Sequence, residues 1–194
     1  MIDASSAKTY PNAMGEPQIK LPRTFDEFRA WDAAQPGRYE FVGGEVRAMV
    51  GATKSHYRVA RALTKTLEAH LSGSRCAVYQ ETVRLRVAEN GRLPDVMVTC
   101  DERDHADPLV VRYPTFIAEV LSDSTGDTDR VEKLAEYCTI DSLQEYLLLD
   151  TQTRSAQLHR RRSVGWGQPL TLEGDNVLEL VSLDLSCKLA TLFD

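Results

Sequence analysis

Two short apolar runs, each carrying one carboxylate, are the most informative part of the hydrophobic pattern. The first reads PDVMV and begins at Pro94, and the second reads FIAEVLS and begins at Phe116. Asp95 opens the first run, and Glu119 lies inside the second. An ionised carboxylate inside a buried strand costs several kcal/mol unless it is paired or holds a metal ion. Glu119 therefore either faces solvent on an alternating strand or occupies its position for a chemical task.

Three segments have the spacing of amphipathic helices, in which apolar side chains recur every three or four residues. Thr24 is predicted to cap the first, with Glu27 at the capping-box position, and that helix is expected to end near 36–37. Ser55 is predicted to cap the second, over residues 56–71. The third is predicted from about residue 129 to 138. Its expected core stripe consists of Val131, Leu134, Ala135 and Cys138.

The remaining segments alternate as strands do, with turn residues between them. Gly43–Gly44 and Asn90–Gly91 are predicted as hairpin turns. Strands are expected within 39–50, 77–87, 95–98, 116–121, 145–150, 156–161 and 169–185. This order of elements predicts an α/β (α+β) fold with a mixed central β-sheet flanked by helices. We expect a flexible tail over 1–22, which lacks a periodic pattern, and a single domain over 23–194.

The charge balance narrows the possible partners. The chain of 194 residues has a net charge of -6 and a pI of about 5.3. That sign excludes a protein that binds nucleic acid over its whole surface, although a local basic groove stays possible. An acidic balance also suits a site that is built from carboxylates and completed by a cation.

Cysteine spacing and hydropathy indicate the compartment. The four cysteines contain no CxxC pair, so we expect them to be reduced and buried in a cytoplasmic protein. No apolar run approaches the length of a membrane span, and the sequence predicts no membrane association. The cysteines are Cys76, Cys100, Cys138 and Cys187.

Asp95 and Glu119 provide the chemistry. Two carboxylates on adjacent strands can hold a hard divalent cation such as Mg²⁺, which prefers oxygen ligands. The cation makes a bound water a better nucleophile and stabilises charge on a phosphoryl oxygen. With a lysine nearby, these groups form the minimal set for phosphodiester hydrolysis.

That set resembles the PD-(D/E)XK nuclease superfamily. Pro94–Asp95 matches the first half of its motif and Glu119 begins the second half, but Leu121 stands at the usual place of the lysine. A longer series over residues 24–162 resembles the Uma-type family of restriction-endonuclease-like proteins. Its segments are TFDEF, YEFVGGEV, a helix that opens with His56, PDVMV, FIAEVLSDST, DRVEKLAEY and QEYLLLD.

The resemblance implies a metal-dependent endonuclease with a restriction-endonuclease-like core. Asp95 and Glu119 would bind Mg²⁺ (or Mn²⁺), assisted by the backbone carbonyl of Val120. Lys133, on the following helix, would replace the missing lysine and assist the attacking water. Glu40 would be an acidic residue contributed by the N-terminal part. The implied partner is DNA. A homodimer stays possible because many nucleases that cut both strands act as symmetric dimers, but no stretch of the sequence specifies an interface and the oligomeric state stays open.

Two of these assignments compete with simpler interpretations. Taken alone, Glu40 and Glu45 are expected on the exposed face of their hairpin. A helical wheel places Lys133 on one face with Asp129 and Tyr137, away from the predicted core stripe. This position favours a surface ion pair that contributes little to stability. The family pattern favours the catalytic role instead.

Two alternatives to catalysis stay open. The absent lysine and the net charge of -6 are compatible with an inactive nuclease fold that serves as a binding or assembly module. If Asp95 and Glu119 are only surface residues, they should lie far apart. His56 is expected to have a structural or hydrogen-bonding role, and no role is assigned to Ser122.

Overall fold

The computed structural model describes residues 21–49, 51–121 and 127–194, with the backbone alone at 127–130. The predicted tail therefore lies outside the described residues as far as residue 20, and so does the segment 122–126. The helices are α1 (Phe25–Asp32), α2 (Lys54–Leu71) and α3 (Asp127–Tyr137). The first strands are β1 (Tyr39–Val42), β2 (Glu45–Ala48), β3 (Ala77–Tyr79), β4 (Arg84–Val87), β5 (Asn90–Arg92), β6 (Val96–Thr99) and β7 (Val110–Val111). The others are β8 (Phe116–Leu121), β9 (Glu145–Asp150), β10 (Ser155–Arg160), β11 (Leu170–Glu173), β12 (Val177–Leu180) and β13 (Leu185–Lys188).

The strands of the described segments form two main sheets and a short hairpin. The larger sheet has six strands in the order β11-β10-β9-β8-β6-β3, and it is mixed because β8 and β9 are parallel. The smaller sheet has five strands in the order β2-β1-β5-β4-β7, and β12 pairs with β13. The described segments also contain three short 3-10 helices, at Glu102–Ala106, Val181–Leu183 and Leu189–Leu192. The predicted α+β fold with a mixed central sheet is confirmed.

Helices cover both faces of the six-stranded sheet. Leu63 and Leu67 of α2 pack in one core cluster with Phe116, whereas Tyr137 of α3 packs in another with Ile117. Phe116 and Ile117 are neighbours on β8, and successive side chains of a strand point to opposite faces. Burying each such side chain contributes about 1.5–3 kcal/mol. Glu119 shares the face of Ile117 and therefore points towards α3.

Side-chain caps fix the starts of the first two helices. Thr24 accepts a hydrogen bond from the backbone N–H of Glu27, as predicted, but α1 ends at Asp32 rather than near 36–37. The cap predicted at Ser55 is wrong. Thr53 has the extended backbone that a cap requires, and it accepts from the N–H of His56. This bond holds His56 in the first turn of α2.

One of the two predicted hairpin turns is wrong. Gly43–Gly44 turns as expected, with positive φ at both residues. Asn90–Gly91, however, begins β5, and the turn is formed by the preceding two residues, where Ala88 has a φ of 51°. Gly91 allows α1 to approach β5, because a Cβ atom there would lie 2.8 Å from the ring of Phe25.

Two segments that were predicted as extended contain strands that belong to different sheets. Within 77–87, β3 joins the six-stranded sheet and β4 joins the five-stranded sheet, so the chain changes sheets at 80–83. Within 169–185, β11 and β12 likewise enter different sheets, and β13 was not predicted. Local alternation identifies an extended segment, but the sheet it joins depends on partners that are distant in sequence.

The prediction of four reduced, buried cysteines is wrong. Cys76 and Cys100 form a disulfide, and Cys138 and Cys187 are free and half-buried. The antiparallel register of β3 and β6 pairs Ala77 with Thr99, which places the two bonded cysteines directly opposite each other. None of the helices in the described segments is long and apolar enough to cross a membrane.

The Cys100→Ser variant tests the disulfide. The bond joins residues 24 positions apart, so its loss should lower the free energy of unfolding by about 2–4 kcal/mol. Urea denaturation under non-reducing conditions measures this change, with Cys187→Ser as the control. Equal stability of the two variants would contradict the assignment, as would labelling of Cys76 by a thiol reagent in the unreduced wild-type protein.

Candidate functional site

Asp95 and Glu119 face each other across two paired strands. The antiparallel register of β6 and β8 pairs Val96 with Ala118, and one step further along it Asp95 stands opposite Glu119. Both side chains are buried, with 6% and 7% of their surface exposed. The interpretations that Glu119 faces solvent and that the two carboxylates lie far apart are therefore wrong.

Asp95 is held as an anion by its hydrogen bonds. Its Oδ2 lies 3.1 Å from Nε2 of His56 and accepts a bond of 2.7 Å from the backbone N–H of Val120. Burial alone would raise the pKa of Asp95, but the bond and charge of His56 outweigh it and lower that pKa. Burial likewise opposes the positive charge on His56, yet the contact with Asp95 raises the pKa of its imidazole.

Glu119 has the opposite tendency. Burial raises its pKa to about 8, and the charges of Asp95 and Glu40 add to that effect although Lys133 opposes it. Its Oε1 accepts a bond of 2.9 Å from the Tyr137 hydroxyl and lies 3.3 Å from Nζ of Lys133. Burial therefore favours the protonated form of Glu119, whereas Lys133 and Tyr137 favour the carboxylate. A divalent cation bound next to Glu119 would favour its carboxylate form.

The inward face of α3 differs from the predicted one at two of its four positions, since Leu134 and Cys138 are half-buried. Lys133 and Tyr137 are buried, whereas Val131 is 64% exposed and Ala135 is exposed. The prediction is wrong at Val131 and Ala135, because Lys133 pairs with buried carboxylates and the face of the helix that carries it can turn inward. The surface ion pair suggested by the helical wheel is also wrong.

Glu40 lies at the edge of the same cluster. It is buried, so the exposed position expected for it on the hairpin alone is wrong, whereas Glu45 is exposed as expected. Glu40 Oε1 accepts a bond of 3.1 Å from the N–H of Leu93 and lies 3.8 Å from Nζ of Lys133. Lys133 thus stands between Glu40 and Glu119.

Arg92 joins the elements that surround this cluster, and the sequence analysis did not single it out. It is fully buried, and its guanidinium binds Glu40 at 3.1 Å, Glu136 at 2.5 and 2.8 Å, and Glu132 at 3.3 Å. These bonds connect β5 to β1 and to α3. Burial alone would lower the pKa of Arg92, but the hydrogen bond and charge of Glu136 and the charge of Glu40 raise it. The available signal was an arginine on a strand two residues before Pro94, a position where a buried strand usually carries a hydrophobe.

The donor set fits a hard divalent cation. Among the described residues, no hydrogen bond reaches Oδ1 of Asp95 or Oε2 of Glu119, so each carboxylate keeps one oxygen for a ligand. Carboxylate oxygens are the ligands that Mg²⁺ prefers. The carbonyl of Val120 stays a predicted ligand, and Ser122 lies outside the described part of the chain.

The mixed sheet and its flanking helices match the fold of a solved structure. A crystal structure described as that of a putative nuclease belonging to DUF820, from Anabaena variabilis, superposes with a TM-score of 0.74. The superposition covers 89% of this chain and 98% of that chain at 16% identity, which supports the similarity of fold.

The sequence comparisons identify the family. The family model described as "Putative restriction endonuclease", Uma2, matches residues 25–190, and the chain belongs to this family. The uncharacterised protein slr1290 of Synechocystis is 31% identical over 163 residues, which cover 83% of this chain and 86% of that protein. A second uncharacterised Synechocystis protein, sll1609, is 36% identical over 57% of this chain and 65% of its own length.

The raised pKa of Glu119 predicts a pH-dependent stability. Its pKa increases from 4.5 to about 8 on folding, so its contribution is fully present below 4.5 and is lost as the pH rises through about 8. The free energy of unfolding in EDTA should therefore fall more steeply over this range in the wild type than in Glu119→Gln. Urea denaturation at several pH values measures both slopes, and the exposed Glu45→Gln variant should follow the wild type. Parallel slopes for wild type and Glu119→Gln would refute the assignment.

Arg92 should be essential for the docking of α3. Arg92→Met removes the guanidinium that pairs the buried Glu40 and the half-buried Glu136, and it should lower the free energy of unfolding by about 3–5 kcal/mol. Arg47→Met is the matched control, because Arg47 also pairs with α3, through Glu132, but is 45% exposed. Its loss should cost less than about 1 kcal/mol. Equal losses in chemical denaturation would show that Arg92 has no special role.

Proposed function

We propose that this protein is a Mg²⁺-dependent endonuclease that hydrolyses phosphodiester bonds in DNA. The observation that supports this proposal most directly is the buried contact of 3.3 Å between Nζ of Lys133 and Glu119. Leu121 stands where the motif has its lysine, and Lys133 supplies an ammonium group to the same carboxylate from α3. The family description and the nuclease-like fold support the same conclusion.

The residues of the site have separate tasks in this proposal. Asp95 and Glu119 would hold the ion, with the carbonyl of Val120 as an additional ligand. When bound, the ion supplies Lewis acidity and a more acidic water. Lys133 orients the attacking water and offsets the negative charge that develops on the phosphoryl group. Glu40 restrains Lys133 from the opposite side.

Neighbouring groups prepare the ligands for this chemistry. His56 and the N–H of Val120 fix Oδ2 of Asp95, and the hydroxyl of Tyr137 fixes Oε1 of Glu119. Each ligand therefore keeps its orientation before substrate arrives. Such outer contacts typically affect metal affinity or activity by about 10–100-fold.

Plasmid cleavage tests the proposal. With Mg²⁺, or Mn²⁺, the wild type should nick or linearise supercoiled DNA, and EDTA should stop the reaction. Asp95→Asn should reduce the rate at least about 100-fold, because it removes a ligand charge from the site. Lys133→Met should cause a comparable loss with the metal affinity largely kept, whereas Glu45→Gln should cleave like the wild type.

A second candidate function is an inactive nuclease fold that serves as a binding or assembly module. Leu121 at the lysine position and the net charge of -6 favour it. It predicts no cleavage that depends on Asp95 or Lys133, even where the protein binds a partner or forms a homodimer. Equal activity of wild type, Asp95→Asn and Lys133→Met would therefore favour the module over the enzyme.

A further inference from the structure

The outward face of α2 carries a row of basic side chains that the site described so far does not use. They are Lys54, Arg58, Arg61 and Lys65, and all four are exposed. Their spacing of three or four residues places them on one side of the helix, which we call the basic face. Leu63 and Leu67, on the opposite side, pack in the core. The one acidic residue of α2 is Glu68.

The charges of the basic face are not neutralised within the described part of the chain. Half-buried arginines of other elements have carboxylate partners, as Arg29 has in Asp107 and Arg84 has in Asp32. Among the described residues, no carboxylate lies within ion-pair distance of the four cations of the basic face. A row of unpaired cations on a chain with a net charge of -6 creates a local positive potential, which attracts a polyanion.

The position of this row opposes the electrostatic preference of the helix itself. The first turn of α2 contains Lys54 and no acidic residue. Because the N-terminus of a helix carries a partial positive charge, a cation there is unfavourable and an anion is favourable. Lys54 therefore does not stabilise its own helix, whereas an anionic partner would be attracted both by the side chain and by the helix end.

A cleft connects the start of the basic face to the candidate functional site. It has a volume of about 430 Å³, and its wall includes Arg38, Lys54, Tyr57, Arg58 and Glu81. Arg38 neutralises Glu81 through a contact of 2.5 Å, so the charge that is left in the wall comes from α2. Oε1 of Glu81 lies 3.9 Å from Nδ1 of His56, and the other ring nitrogen of His56 contacts Asp95. His56 thus stands between the wall of the cleft and the proposed metal ligand.

We propose that the basic face of α2 binds the phosphate backbone of duplex DNA beside the bond that is cut. Its four side chains extend over about 16 Å, at 1.5 Å per helical residue. One strand of DNA carries a phosphate for about every 3.4 Å of its axis, so the basic face matches the length of about five phosphates. The inference rests on the proposed function for the place of the cut, and it adds the surface that holds the substrate.

The composition of the basic face favours a duplex over a single strand. Sites for single strands combine a basic groove with aromatic side chains on which the bases stack. The sequence from Arg58 to Lys65 contains no aromatic residue. Lysine and arginine contacts with phosphates position a duplex without reading its sequence, so we expect binding that is independent of sequence and sensitive to salt.

DNA binding in EDTA tests the basic face without cleavage. The full-length protein is titrated into a labelled duplex of about 20 base pairs at several salt concentrations, and fluorescence anisotropy gives the slope of log K against log[salt]. Each lost phosphate contact should reduce the slope by about 0.9 and weaken binding roughly eightfold at about 0.1 M salt. Arg58→Gln and Arg61→Gln should each show this loss, to the same extent on two duplexes of different sequence.

Arg162→Gln is the matched control. Arg162 is also exposed, but it lies in the turn that leads to Trp166, which packs on the α3 face of the sheet. The control should bind like the wild type. Equal slopes for wild type, Arg58→Gln and Arg61→Gln would overturn the basic face, as would an equal loss in Arg162→Gln, which would show that net charge alone governs binding. Tighter binding of a single strand of the same length would overturn the choice of duplex DNA.

Lys54→Gln separates DNA binding from a structural role. It should weaken binding as Arg58→Gln does. Without DNA it should unfold at the same temperature as the wild type or at a higher one, because the change removes a cation from the positive end of α2. A lower unfolding temperature with unchanged DNA binding would contradict the proposal at this position. The same thermal measurement verifies that the other variants are folded.

The basic face and the endonuclease assignment can fail separately. DNA binding in EDTA that depends on Arg58 and Arg61 supports the basic face even if no variant cleaves DNA. Cleavage that depends on Asp95 and Lys133, with equal DNA binding by the wild type and both arginine variants, overturns the basic face and leaves the endonuclease assignment intact.

Discussion

The mutual pairing of charged side chains buried between the two sheets is the constraint on which the rest of this structure depends. Arg92 is fully buried and Lys133 nearly so, and an isolated charge in such a place costs several kcal/mol. Each is tolerated because carboxylates from other elements surround it. Since Glu40 lies on β1, Glu119 on β8 and Glu136 on α3, the pairing fixes the relative positions of both sheets and the helix.

The same pairing sets the two strand carboxylates to opposite states. Asp95 stays ionised because His56 and the N–H of Val120 bind it, whereas burial beside other carboxylates raises the pKa of Glu119 to about 8. Adjacent groups with pKa values pushed apart are characteristic of functional sites. A divalent cation bound as proposed would favour the ionised form of Glu119.

The sequence alone identified those site residues that leave a mark on the local hydrophobic pattern. Asp95 and Glu119 could be found because each carboxylate interrupts an apolar run, and the mixed sheet followed from the order of elements. The inward face of α3 could not be predicted, because hydropathy treats Lys133 as a surface residue and takes no account of its buried partners. The disulfide was missed for a related reason, because it depends on the register of strands that are far apart in sequence.

The position of Lys133 along the chain has a consequence for synthesis. Glu40, His56, Asp95 and Glu119 all precede it, and α3 is the last element to contribute to the cluster. A nascent chain emerging from the ribosome therefore exposes the acidic residues first, without the lysine that the proposed chemistry requires. In the proposed endonuclease, the polypeptide therefore carries the proposed metal ligands before it carries the lysine, and cleavage could begin only after α3 has docked.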